Sequence, residues 1–377
     1  MLDPARESPV TGARKELFEE LRKNHVPRYL FRAWSRTSGG GPEQAINTTT
    51  SVVPHAFLSH LSRESDNTVR GFYEIPESEL QYMAASHYQG GRTEPSGFSS
   101  WASSLHLVLC YATSMKPEND PHVAVMETHG LEDEVLVWHV PHLIDRGNDE
   151  YLAYGHIKGD GYRAVSLSEM QRNGLLTLLP ELPTSRVLSD EVRANMFTQA
   201  PWLIRDNECI IIRGIASLSG NISCPMAMAL LSLRPREWLV WRTAGVSAEV
   251  RHEAVNEINR QLHIESVPKG LHQEAWLQAG MVNTNGFPDV TQWIDLLAMV
   301  VDRFHTYSNQ EEDQITKETV SKASKRKRSE IEDLVQEQPT VQRPRMELRV
   351  RERFTYVSCK DMNCGGCVSC IVDARHT

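Results

Sequence analysis

At 377 residues the chain exceeds one average domain, and its 40% hydrophobic and 24% charged content matches globular proteins, which excludes disorder from end to end. A formal net charge of −9 excludes nucleic acid gripping the whole surface, because phosphate binding needs a concentrated positive patch. No stretch approaches the roughly 18 apolar residues of a membrane span, and Met1 to Arg6 leads straight into charged sequence, so a soluble intracellular protein with free cysteines is expected.

Residues 13 to 24 set Leu17, Phe18 and Leu21 among charges at helical spacing, which predicts an amphipathic helix ended by Pro27. Tyr29 to Trp34 is β-prone, and Ser38-Gly39-Gly40-Gly41-Pro42 marks a loop. Pro76 to His87 reads as a helix with Leu80, Met83 and Ala84 on one face, stopped at Gly90-Gly91. Ser103 and Ser104 precede the apolar run Leu105 to Ala112, the pattern of a buried helix with a serine N-cap. Strand-like runs follow at His122 to Met126, Glu134 to Val140, Glu150 to Tyr154 and Tyr162 to Val165. A helix followed by several closely spaced strands predicts an α+β fold.

The organisation expected is a helix over 1–25, an α+β domain over 26–167, and a mixed region over 168–307. Behind them come a disordered basic linker over 308–345 and a cysteine-containing tail over 346–377. Within the mixed region Cys209-Ile210-Ile211-Ile212 reads as a buried strand opened by Glu208, and Val250 to Leu262 and Val290 to Phe304 read as helices. The linker is charged and nearly free of aromatic residues.

Lys322, Lys325, Arg326, Lys327 and Arg328 form a compact basic cluster in that linker. Such a cluster suits an import receptor, which places the protein in the nucleus, the cytoplasm or both; a solvated charge run has the same composition. Cys359, Cys364, Cys367 and Cys370 have C-x4-C-x2-C-x2-C spacing, so four thiolates could surround a zinc ion or an iron–sulfur cluster, or stand as unpaired reactive thiols.

Three polar positions punctuate predicted core elements. Arg32 lies inside an apolar strand, where a guanidinium needs an anionic partner or a cleft. Ser99, Ser100, Ser103 and Ser104 flank a strand-to-helix junction, where hydroxyls and free N–H groups can receive a phosphate or ribose, or simply cap the helix. Glu150 opens a later strand. There is no His-Glu-x-x-His arrangement, and Gly39-Gly40-Gly41 lacks the Lys and Ser/Thr of a nucleotide-binding loop.

Taken in order, Arg32 on an early strand, a Ser-rich strand–helix junction and Glu150 opening a later strand resemble the motif series of the ADP-ribosyltransferase fold. The resemblance covers roughly residues 26 to 165 and is closest to fungal proteins with Leu-Phe-Arg, Ser-Trp-x-Ser-Ser and Glu-Tyr-Leu elements. It implies a split β-sheet core with NAD as substrate. Arg32 would orient the NAD phosphate and ribose, and Ser100 with Ser103 would shape the nicotinamide-ribose pocket. Glu150 would bind the ribose 2′-OH and stabilise the oxocarbenium ion, and Tyr29, Trp101 or Tyr151 would offer a ring to nicotinamide. Asn148 stands where arginine-modifying members carry Glu or Gln, which points away from arginine as acceptor. The expected activity is ADP-ribosyl transfer to a protein or nucleic acid, or NAD hydrolysis; the alternative is a non-catalytic nuclear interaction protein on the same fold.

Overall fold

In the computed structural model, residues 8–306 are described apart from 41–44, 62–69, 91–94, 130, 132–134, 145, 148–149, 183–188, 239–244, 269 and 279. The expected basic linker, the 322–328 cluster and the cysteines at 359–370 lie outside the described residues. The described residues all belong to one unit, Met1–Asp313. No described helix is long and apolar enough to cross a membrane.

Helix α1 (Gly12–His25) buries Phe18 and ends at Val26, because the residue before a proline is pushed out of the helical region. Then come β1 (Tyr29–Trp34), β2 (Ile46–Asn47), β3 (Ser51–Val53), α2 (Glu77–Tyr88), β4 (Phe98–Ala102) and α3 (Leu105–Ser114). The Ser104 hydroxyl caps α3 by accepting the Leu107 N–H at 3.0 Å. The chain continues through β5 (His122–Glu127), β6 (Leu136–His139), α4 (Val140–Leu143), β7 (Glu150–Tyr154), β8 (Ile157–Lys158) and β9 (Tyr162–Ser166). From there the described elements are helical: α5 (Leu167–Arg172), α6 (Leu175–Leu178), α7 (Ser189–Phe197), α8 (Asp206–Ser217), α9 (Ser223–Leu231), α10 (Ala248–Leu262) and α11 (288–306). The protein is therefore of the α+β class.

Six strands form one antiparallel sheet in the order β6-β7-β4-β1-β5-β9, and β2-β3-β8 form a smaller one. The large sheet is split. β1 runs in register with β5 along its whole length, from Tyr29 opposite Glu127 to Trp34 opposite His122, and β4 is likewise fully registered with β7. Between β1 and β4 the register holds one pair, Phe31 opposite Ala102. Two three-stranded halves thus meet at a narrow seam.

Side-chain alternation along the strands assigns each half its cores. On one face Leu30, Trp34, Trp101, Ala124, Met126, Tyr151 and Ala153 form a continuous core with Val52 and Ile157 of the small sheet. The other face carries two separate cores. Phe98, Trp138, Leu152 and Tyr154 pack with Phe18 of α1, Leu80 and Ala84 of α2, and Phe72 of the short 3-10 turn just before α2. Tyr29, Phe31, Val123, Val125 and Val165 pack with α3 and with the helices that follow β9. The gap between these two cores falls over the seam.

The described residues of 168–305 join that last core and belong to the same unit as the sheet. Trp293 of α11 donates from Nε1 to the Ser103 carbonyl at 3.1 Å, and Ser104 Oγ donates to the buried Asp289 carboxylate at 2.7 Å. Arg28 bonds both Glu127 of β5 and Glu274, the latter at 2.5 Å, and so ties the sheet to the segment before α11.

One element differs in kind from its sequence reading. Residues 209–212 are helical, within α8, and Glu208 lies in its first turn, where it pairs with the buried Arg236. Cys209, Ile212, Ile215 and Ala216 are buried while Ile210 is 57% exposed. An apolar run of four carries no periodicity of its own; the burial spacing of three to four across Cys209 to Ala216 is what marks the helix.

Candidate functional site

The seam fixes where Arg32 goes. Strand alternation sends its side chain toward the Trp101 face, with the guanidinium carbon 6.0 Å from the centroid of that ring. Ser100 and Glu150 belong to the opposite face, since Ser100 pairs with Leu152 and Glu150 with Ala102. The open seam reconciles these directions. Arg32 Nη1 donates to the Ser100 carbonyl at 3.0 Å, in the place where a longer β1–β4 ladder would have continued through Ala33 and Ser100. Its buried Nε meets no acceptor among the described residues.

Two cavities meet at Arg32 and Ser100. One, of about 460 Å³, is lined by Glu150, Trp101, Tyr88, Tyr111 and Phe287 together with those two residues. The other, of about 340 Å³, adds Ser38, His55, His87, Ser96 and Ser99. Each is the size of a small-molecule site. Gly147 shapes the first. Its φ of 75° favours glycine, and a Cβ there would come within 2.7 Å of the Tyr88 ring.

The charges of the site oppose their own burial. Burial pushes the Glu150 carboxyl above its ordinary range, while a hydrogen bond from the Ser100 side chain and the charge of Arg32 pull it back toward ionisation. Burial also lowers the Arg32 pKa, against the influence of Tyr162 and Glu150. His87, at the end of α2, was not singled out by residue type, yet it is central here. Its Nε2 lies 3.1 Å from Ser100 Oγ and its Nδ1 3.0 Å from Ser96 Oγ. Burial, with the Arg32 charge behind it, pushes this imidazole down to about 4, so it is neutral at physiological pH. The signal that could have found it is spacing: Leu80, Ala84 and His87 share one face of α2, and the first two are buried.

Of the residues proposed from sequence, Arg32, Ser100 and Glu150 line a common cavity. Ser99 lines only the other one, where its hydroxyl accepts the Trp101 indole N–H at 2.9 Å. Ser103 and Ser104 are buried at the α3 junction, bonded toward α11, and line neither cavity. Among the proposed stacking rings, Trp101 reaches the cavity wall, while Tyr29 packs into the core with α3 and Tyr151 into the core shared with the small sheet. Asn148 lies outside the described residues. No group of His, Cys, Asp or Glu suited to a metal occurs among the described residues.

A Ser–His pair beside a carboxylate invites comparison with a hydrolytic triad, and the order is wrong for one. In a triad the acid orients the imidazole, whereas here Glu150 engages Ser100 and the far nitrogen of His87 faces Ser96.

Residues 25–166 match the model of a family described as a domain of unknown function (DUF7587). The match begins at the end of α1 and closes with β9, so it takes in the split sheet, Arg32, His87, Ser100 and Glu150, and omits the helices from α5 onward. No curated protein and no solved structure matches the chain.

Proposed function

We propose that the cavity at the seam binds NAD and cleaves its nicotinamide–ribose bond, either passing ADP-ribose to an acceptor or hydrolysing NAD. The observation that carries this reading is the delivery of a guanidinium, a hydroxyl and a carboxylate to one cavity from the neighbouring strands β1, β4 and β7. The orphaned Nε of Arg32 favours an anionic ligand in the seam, as a dinucleotide phosphate would be. Glu150 supplies the only carboxylate on the described walls of the two cavities.

In this reading the bond between the ribose C1′ and the nicotinamide nitrogen breaks, and its electron pair leaves with nicotinamide. The positive charge that develops on the ribose is met by the Glu150 carboxylate in a partly desolvated site, where a fixed charge acts strongly. An acceptor nucleophile or water then adds at C1′ and releases its proton. Ser100 and Arg32 act on Glu150 by favouring its ionised form. Release should therefore rise with pH through an ionisation above the ordinary carboxylate range.

The test is nicotinamide release from labelled NAD by the full chain. Glu150→Gln keeps the shape and removes the charge, and should lower turnover by about 10²–10³-fold. Arg32→Ala should weaken NAD binding and move the acid limb of the pH profile upward, because the charge that depresses the Glu150 pKa is gone. Absence of release by the wild type, or equal release by wild type and both variants, would remove the catalytic reading. NAD bound without release would leave the non-catalytic alternative.

A further inference from the structure

We propose that His87 is a positioning residue, whose Nε2–H holds the Ser100 hydroxyl so that its hydrogen points at the Glu150 carboxylate. The inference deepens the reading above by naming what sets the state of Glu150, and it rests on that reading only for its consequence in turnover.

The proposed direction of the hydrogen bonds is the one that lets the Ser100 hydroxyl donate to Glu150, since a proton on Nδ1 would leave Nε2 to take that hydrogen. Ser96 Oγ accepts the Phe98 N–H at 3.1 Å, and in the proposed arrangement its own hydrogen goes to His87 Nδ1, at 3.0 Å. A neutral imidazole that accepts at Nδ1 carries its proton on Nε2 and donates from there. The atom in front of Nε2 is Ser100 Oγ, at 3.1 Å. With Nε2 donating, the Ser100 hydrogen is free for Glu150, whose place opposite Ala102 puts it on the same face two residues along the ladder and which lines one cavity with Ser100. The chain thus runs from the Phe98 amide through Ser96, His87 and Ser100 to Glu150, each member donating to the next.

The surroundings keep the imidazole in this role. Arg32 from β1 repels a proton on the ring, and Phe98 packs edge-on to it at 6.2 Å. His55 lines the same cavity as His87, while Tyr88 and Tyr111 line the cavity of Glu150. A permanently neutral donor is what a carboxylate-orienting group needs: a histidine that titrated near pH 7 would change the field at Glu150 with every proton. Replacing Nε2–H by an apolar group frees the Ser100 hydroxyl to rotate away, and the carboxylate loses a hydrogen bond to its ionised form.

The experiment titrates Glu150 by the ¹³C shift of its carboxyl carbon in labelled full-length protein, assigned with Glu150→Gln. His87→Leu should raise the Glu150 pKa by about one unit, the equivalent of a tenfold shift in its ionisation. His87→Gln, whose amide N–H can stand near the position of Nε2, should restore most of the wild-type titration. Adding His87→Leu to Ser100→Ala should shift Glu150 no further than Ser100→Ala alone, because the hydroxyl transmits the effect. An unmoved titration in His87→Leu, a Gln variant as shifted as the Leu variant, or additive shifts in the double variant would overturn the proposal. Should His87→Leu fail to fold, the imidazole ¹⁵N shifts of the wild type decide the matter. A neutral Nε2–H tautomer from pH 5 to 8 supports the proposal, and Nδ1–H overturns it. A wild type that titrates in this way yet releases no nicotinamide would sink the catalytic reading and leave the positioning role of His87 standing.

Discussion

The two ladders on either side of β1 hold the sheet together by different means. Toward β5 every residue of β1 has a partner, and the side chains below the ladder, Tyr29, Phe31, Val123 and Val125, sit in one core with α3. Toward β4 a single pair is made, and the next position along is filled by the Arg32 guanidinium bonding to the Ser100 carbonyl. The paired ladder turns burial into stability. The split one gives up backbone pairing and apolar contact, and in return leaves room for polar side chains that a closed sheet would have excluded.

The largest effect expected from breaking this comparison is on the paired side. Phe31 is fully buried and meets Trp293 edge-to-face at a centroid distance of 6.3 Å. Phe31→Ala should destabilise by about 3–5 kcal/mol through lost transfer energy and the cavity left behind. Thermal melts or urea titration would measure it, and a loss under about 1 kcal/mol would mean that α3 and α11 do not close over β1 as described. The residue is also the one registered partner across the seam, so the same variant should loosen Ser100 and weaken NAD binding.

A smaller loss is expected at the outer edge of β4, where the β7 ladder is complete. Gly97 leads into that strand, and a Cβ there would fall 2.3 Å from a carbon of the Tyr154 ring, which is enclosed by Phe57, Phe72 and Phe98. The ring has no room to yield. Gly97→Ala should cost about 1–3 kcal/mol as overpacking. Because the damage lies on the paired side of β4, melts should register it more than the Glu150 titration does.

The same contrast governs how much the sequence disclosed. The paired regions were legible because burial writes itself into residue type: β-branched and aromatic runs gave β1, β5, β7 and β9, and the serines before Leu105 gave the cap of α3. Residues 209–212 were misread because Ile210, Ile211 and Ile212 suit a strand as well as a helix, and only their neighbours at helical spacing decide. At the site, Arg32, Ser100 and Glu150 stood out as polar interruptions of apolar elements. His87 did not, since a histidine near a helix end is unremarkable until Ser96 and Ser100 are found at its two ring nitrogens. The split itself had no sequence signature, because strand pairing is a relation between segments far apart in the chain.

The finest test concerns what the open seam costs the fold. Glu150 has a folded pKa raised above its unfolded value, so its protonated form favours the folded state. That contribution is fully present below the unfolded pKa and is lost as pH rises through the folded one, leaving the ionised carboxylate a net liability at neutral pH. Glu150→Gln mimics the protonated form. It should raise the melting temperature by about 2–4 °C at pH 7, and the gain should shrink to nothing as pH falls below the ordinary carboxylate range. Buried histidines act in the opposite sense over a neighbouring window: His87 and His106, both pushed down to about 4, stabilise above pH 6.5 and lose that contribution toward pH 4. Subtracting the wild-type curve from the variant curve at each pH cancels most of their effect and isolates Glu150. A difference that stays constant with pH would show that Glu150 is not held against its preferred state, and the seam would then be an ordinary surface groove in place of a site that keeps a charge where burial opposes it.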